Sequence, residues 1–293
     1  MTMAMRDAGD AQSEQWEVVV RPEHGWWSLD LREIWRYRDL LLLLVRRDLL
    51  AVYKQTLIGP AWQVLQPLLT SIMFAVVFGI MARMAPSGIP PLLFYLSAVV
   101  PWGFFSGVVT RTSQTLLSNA ALMTKVYFPR LVAPLATVLA TGFNFGVQLT
   151  AYLVFALIYA LLGKHPWPVG AEAAMLPALI AIIAVMGLGV GLGVSALTAR
   201  YRDFGLLIGF AVQLLMYASP VIFPLSMTAP GSTLRAAIEL NPLTPVIEGF
   251  RAALLGMPME WGTLWYSAGV AVVVLVLGLL LFQRVERSFA DVI

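Results

Sequence analysis

Cysteine is absent from the 293 residues, and histidine occurs only as His24 and His165. That excludes a disulfide scaffold, a thiolate metal site and a cysteine nucleophile, and two imidazoles alone do not make a metal cluster. Charge is scarce as well. Asp, Glu, Lys and Arg supply 12% of the chain, where a soluble protein carries roughly a quarter. So few charges would leave an aqueous surface poorly hydrated, whereas lipid tails accept apolar side chains freely. Asp, Glu and His do not cluster, which counts against a membrane-embedded enzyme. No G-x-x-x-x-G-K-[ST] loop occurs, so the chain has no device for cradling ATP phosphates. Residues 1–15 are polar and lack the apolar core of a signal peptide.

What the chain has in abundance is apolar length. Hydrophobic residues make up 59%, and the mean hydropathy is +0.81. Crossing the hydrocarbon core takes about 20 mostly apolar residues. Six runs qualify: 61–82, 92–117, 131–162, 176–199, 204–223 and 264–282. Pro- and Gly-rich turns at 85–91 and 163–168 and the charged loop 200–203 separate them. The expected fold is an all-α membrane protein with six transmembrane helices.

Lys and Arg set the orientation. With the N-terminus inside, fifteen lie on the cytoplasmic side, including Arg111 at the inner end of the second run. Four, Arg83, Lys164, Arg235 and Arg251, lie outside. Both termini are therefore expected in the cytoplasm. The net charge of +3 reads as this bias, and no nucleic-acid partner is expected.

Residues 29–57 hold a Leu-rich stretch too short to span, followed at once by Arg46, Arg47 and Asp48. A charge at mid-bilayer costs about 2.5–3.5 kcal/mol. Basic flanks with Trp26, Trp27 and Trp35 suit an amphipathic helix in the cytoplasmic interface, with Ser28 as its cap. Residues 223–261 are Pro-rich, and their few charges are of both signs. They are expected to form short external re-entrant helices, one over 232–240 and one from Thr244-Pro245 to Gly256. The alternating Gly187, Gly189, Gly191 and Gly193 lack the Lys and the strand of a nucleotide loop, and read as close helix packing.

Three stretches carry a family resemblance: residues 47–67 (RDLLAVYKQTLIGPAWQVLQP), 123–130 (MTKVYFPR) and 240–251 (LNPLTPVIEGFR). In order and spacing they resemble the ABC-2 type permease subunit of ABC transporters that export polysaccharides, over about residues 26–289. Ala51 stands where such permeases often carry a basic or polar residue. The resemblance implies a multi-pass permease of the bacterial cytoplasmic (inner) membrane. It would work as a homodimer with two separate ATP-binding subunits, moving a lipid-linked polysaccharide: O-antigen first, otherwise capsule or teichoic acid. The chain itself would bind no cofactor; ATP and Mg would sit on the partner ATPase. The chain would then divide into a polar cytoplasmic N-terminus (1–28), the interfacial helix (29–57), the six-span domain (58–283) and a cytoplasmic tail (284–293). The alternative is a secondary transporter or channel without ATPase subunits. Such proteins place charged coupling residues in mid-membrane, and no carboxylate falls deep in a run here.

The resemblance also assigns roles. A coupling helix between spans two and three would dock on the ATPase through Met123, Thr124, Lys125, Val126, Tyr127, Phe128, Pro129 and Arg130, with Arg46, Arg47 and Asp48 beside it. The other reading of that loop is orientation by charge alone. Gly59 and Pro60 read either as a hinge or as a plain helix break. An aromatic pore would take Phe74, Phe78, Tyr95, Trp102, Phe105, Tyr217 and Phe223, since sugar rings slide along aromatic faces without a fixed register. Arg111 would meet a diphosphate or snorkel to the interface.

Overall fold

The structure, a computed structural model, describes residues 31–53, 59, 61–123, 128–167, 169–201, 203–229 and 231–289. Every regular element in them is helical. In chain order these are α1 (Leu31–Arg36), α2 (Arg38–Tyr53), α3 (Ala61–Phe74, continued as π-helix through Ala75–Met81), α4 (Pro91–Thr112), α5 (Thr115–Ser118) and α6 (Ala120–Met123). Then come α7 (Val132–Leu161), α8 (Leu176–Arg200), α9 (Phe204–Tyr217), α10 (Thr233–Glu239), α11 (Leu243–Leu255) and α12 (Leu264–Phe289).

Five helices are long and apolar enough to cross a membrane: Ala61–Met81, Pro91–Thr112, Val132–Leu161, Ala171–Arg200 and Trp261–Val285. The run 204–223 was expected to be a sixth, but its helix stops at Tyr217 after 14 residues. At 1.5 Å per residue that is about 21 Å, short of a hydrocarbon core of about 30 Å. The stop is local chemistry. Pro220 offers no N–H and disfavours helical backbone at Ser219. The second run also ends early, at Thr112 instead of 117. There the hydroxyls of Ser113 and Thr115 donate to the carbonyls of Thr110 (2.7 Å) and Thr112 (2.8 Å), side-chain bonds that compete with regular helix.

The segment expected as one interfacial helix is broken at Tyr37, between α1 and α2. Nor does α2 lie apart from the bundle. Leu44 is buried with Phe128, Val132, Ala133 and Ala136, so an apolar stripe of α2 seats on the start of α7. Ser28, Trp26 and Trp27 lie outside the described residues.

The central helix is α4. Of its 18-residue apolar window 78% is buried, against 17–28% for the other four spans. Outward faces of those four carry bare apolar side chains such as Ile80, Phe143, Leu161 and Val273, the surface that lipid covers. The alternating glycines pack α8 on both sides. A Cβ on Gly187 would sit 3.1 Å from Val108, and one on Gly191 2.6 Å from Thr112, so this pair admits α4. A Cβ on Gly189 would sit 2.6 Å from the Leu275 nitrogen, and one on Gly278 would overlap the Gly189 carbonyl oxygen, so that pair admits α12. Small residues bring helix backbones together where no hydrophobic drive exists between them.

At the Pro91 end of α4, the helix α11 is enclosed by α4, α8 and α12, and twelve of its thirteen residues are buried. Gly256 ends it at φ 65°, and Ser232 caps α10 by accepting from the Arg235 N–H at 3.2 Å. Hydroxyls tie this end shut: Tyr152 donates to Leu254 O (3.0 Å), Tyr266 to Leu240 O (2.7 Å) and Ser267 to Pro242 O (2.7 Å). Asn241 Nδ2 donates to Ser219 Oγ (2.8 Å) and Ala218 O (3.2 Å), while its Oδ1 accepts from Leu243 N–H (3.0 Å).

Arg251, counted among the charges on the outer side, is wholly buried, at 0% exposure. Its guanidinium donates to Glu248 Oε1 (2.7 Å), Val221 O (3.0 Å) and Phe223 O (3.4 Å), and lies 4.2 Å from the Phe94 ring centroid. Burial lowers its pKa and the Glu248 carboxylate raises it; arginine's basicity keeps it charged.

Candidate functional site

A cleft of about 450 Å³ opens between α3, α4, α7 and α9. Its position follows from small residues on one face of α4. Gly103, Ser106, Gly107 and Thr110 line it, spaced so that they stack on a single side of a helix. From α3 come Gln63, Gln66 and Thr70, and from α7 Thr141, Asn144 and Gln148. From α9 come Gly209, Val212, Gln213 and Met216. Arg111 lines the cleft from the end of α4 opposite Phe94 and Arg251.

Half of the lining residues are polar, beside an apolar wall that includes Val99, Phe104 and Phe145. An amide buried in hydrocarbon without a partner costs several kcal/mol, so amides at this depth mark a wet cavity. Gln148 Nε2 donates to Gln63 O at 3.0 Å and joins α7 to α3. The hydroxyls turn back on their own helices: Thr70 to Gln66 O (3.0 Å), Thr110 to Ser106 O (2.7 Å) and Thr141 to Thr137 O (2.8 Å). That spends their protons and leaves their oxygens as acceptors toward the cleft. No hydrogen bond joins the side chains of Gln63, Gln66 or Gln213 to another described residue. Arg111 is exposed and has no ion pair among them.

Of the aromatics expected along a pore, Trp102 lines the cleft. Phe105 is buried against it, ring centroids 5.6 Å apart. Tyr95 is fully buried and stacks edge-on with Phe94 (5.1 Å) and Phe74 (6.0 Å), and Phe74 with Phe78 (5.7 Å). Tyr95 and Phe105 are thus core packing in this chain. Tyr217 is exposed on α9, and Phe223 is half-buried past its end.

The coupling segment was expected as one helix. Its described part holds a single helical turn, Ala120–Met123, then Phe128, Pro129 and Arg130 without helix. Phe128 points inward, 4% exposed in the α2–α7 cluster, so it anchors the segment to the bundle. Thr124, Lys125, Val126 and Tyr127 lie outside the described residues. Arg46 and Arg47 are exposed, and Arg47 pairs with Asp48 at 2.9 Å. Gly59 takes φ +52° between α2 and α3, a left-handed turn that suits glycine; Pro60 lies outside the described residues. The glutamines were missed. Their signal was spacing, since Gln63 and Gln66, and likewise Asn144 and Gln148, share a helix face.

The model of the ABC-2 type transporter family matches residues 39–255. The chain belongs to that family. It is a multi-pass inner-membrane protein, and members of the family are transport pore subunits. Among curated relatives, an O-antigen export system permease protein RfbA of Klebsiella pneumoniae is 25% identical over 258 residues, covering 87% of this chain and 95% of its own. The RfbA of Myxococcus xanthus is 27% identical, covering 89% and 98%. The polysialic acid transport protein KpsM of Escherichia coli is 25% identical, covering 79% and 87%.

Proposed function

We propose that this chain is the permease subunit of an ATP-driven exporter that moves a lipid-linked polysaccharide, O-antigen before capsule or teichoic acid, across the cytoplasmic membrane. One observation carries the reading: near-full-length similarity to O-antigen export permeases. A cleft that gathers amides and hydroxyls within an otherwise apolar bundle supports it. In this reading a homodimer engages two ATP-binding subunits, which carry the ATP and Mg. The chain crosses six times with both termini in the cytoplasm. Helix α9 makes the fifth crossing together with residues 218–223, whose irregular backbone is tolerated at depth because protein encloses it.

Lys125 and Arg130, with Met123 and the exposed Arg46 and Arg47, form the grip for the motor. Gly59 and Pro60 pass its movement to α3. Trp102 and Arg111 meet the substrate in the cleft; Phe74, Phe78, Tyr217 and Phe223 border its further path. The test is co-purification. An ATP-binding chain should come down with this one, and reversing charge at Lys125 and Arg130 should lower transporter-coupled ATPase activity at unchanged membrane insertion. Glycan transport in vesicles that contain this chain and no ATP-binding subunit would refute the proposal in favour of a secondary transporter.

A further inference from the structure

We infer that Gln63, Gln66, Gln148 and Gln213 form a hydrogen-bonding subsite for the hydroxyls of an electroneutral glycan, with Arg111 as a single anion contact at one end. The inference rests on the export reading and deepens it by naming the charge class of the polymer.

The argument is one of matched chemistry. A primary amide presents two donors and two acceptor lone pairs without net charge, the set that a sugar hydroxyl needs. The side-chain amides of Gln63, Gln66 and Gln213 engage no described residue, so their capacity faces the cleft. Gln148 holds its place by donating to Gln63 O at 3.0 Å, and its Oε1 lies 3.9 Å from where a Cβ on Gly103 would stand. Polar groups thus stand on both sides of the cleft. The row from Gln63 to Thr70 rises roughly 10 Å along α3, and that from Thr141 to Gln148 about as far along α7. They are rows of partners, not one point contact.

Charge decides between polymer classes. Among the described lining residues Arg111 is the one charged side chain, and no carboxylate is present. A polymer with a carboxylate on every sugar would bring several anions into a space that offers one cation. Each further anion would trade part of its hydration for contact with neutral amides, with no second cation to balance it. A neutral chain with one anionic terminus meets no such penalty. The polysialic acid transport protein among the relatives is named for a polymer with a carboxylate on every sugar, so the lining has a real choice to make.

The experiment uses the full chain in nanodiscs and two fluorescent probes of equal length, a neutral manno-oligosaccharide and an α2,8-linked oligosialic acid, read by polarisation. The neutral probe should bind at least about ten-fold more tightly, with little dependence on salt. Gln63→Leu, Gln66→Leu and Gln213→Leu together should weaken it about ten-fold or more, through lost hydrogen bonds. Leucine is at home in a bilayer, so insertion should survive. Gln66→Arg with Gln213→Arg provides a gain of function: oligosialic acid should now bind more tightly, and in a salt-sensitive way. Equal or tighter binding of oligosialic acid to the wild-type chain would overturn the inference while leaving the export reading in place. Unchanged neutral binding in the triple-leucine variant would overturn it too. Binding of neither probe would overturn the glycan reading itself.

Discussion

Replacing Arg251 with alanine should be among the most destabilising single changes in the chain. The side chain is fully buried, and its guanidinium joins three parts of the fold: Glu248 on its own helix, the Val221 and Phe223 carbonyls beyond α9, and the Phe94 ring on α4. Truncation leaves the Val221 carbonyl buried without its donor, at about 1–3 kcal/mol. A desolvated cation–π contact of about 2 kcal/mol goes as well. The sum agrees with the ~3–5 kcal/mol typical of breaking a buried ion pair by removing one partner. At about 2–4 °C per kcal/mol, the melting temperature in detergent should fall by roughly 10 °C. Arg251→Lys should fall between, because one ammonium cannot fork to both carbonyls. The control is Arg235→Ala, whose exposed pair with Glu239 (2.8 Å) is an i,i+4 contact of about 0.3–0.5 kcal/mol. If Arg251→Ala melts within error of Arg235→Ala, the claim that this guanidinium fastens residues 221–223 is wrong.

Two further changes follow from the packing. Gly189→Ala or Gly278→Ala places a methyl against backbone that cannot yield and should cost about 1–3 kcal/mol. Gly269→Ala, on the same α12 and with nothing within 4 Å of the added carbon, should be neutral or stabilising by about 0.5–1 kcal/mol; thermal melts of the three variants compare them directly. Tyr152→Phe removes the buried bond to Leu254 O (3.0 Å) and should cost about 1–3 kcal/mol, the penalty of an unmet carbonyl. A shift no larger than that of the exposed Tyr217→Phe would show that this tie between α7 and α11 is idle.

Much of the fold was legible, because lipid imposes a length and an apolarity that few other elements share. The helix over 232–240, the stop at Gly256 and the glycine packing of α8 came from residue chemistry alone. In the fifth run, hydropathy counts side chains and ignores the missing N–H of Pro220, so the regular helix stops at Tyr217 while the apolar run goes on. The burial of Arg251 was not legible. Counting charges by side says nothing of burial, and only the assembled fold brings the Val221 and Phe223 carbonyls to its guanidinium. The aromatics of α4 were hard to sort because that helix is buried on most sides, so each ring finds a neighbour whichever way it points. The cleft itself is drawn from four helices spread between Gln63 and Met216. Pattern within any one helix shows two or three polar residues on a face, and their convergence is a property of the packing.

Gly103 offers the sharpest separation of fold from function. It lines the cleft, and a Cβ there would meet nothing nearer than Gln148 Oε1 at 3.9 Å, so a larger side chain projects into open space. Glycine in mid-helix is itself unfavourable by roughly 0.5–1 kcal/mol relative to alanine. Gly103→Leu should therefore insert normally and melt no lower than wild type, while filling the cleft beside Gln148 with a branched apolar group. If glycan passes along this lining, export should collapse even as ATPase activity in the assembled complex persists. Gly107→Leu makes a poor substitute, since a Cβ there already stands 3.1 Å from Thr141 Cγ2 and its failure would be ambiguous. Full export through Gly103→Leu, with the protein at normal abundance, would mean that the polymer travels elsewhere and that the glutamines serve packing alone.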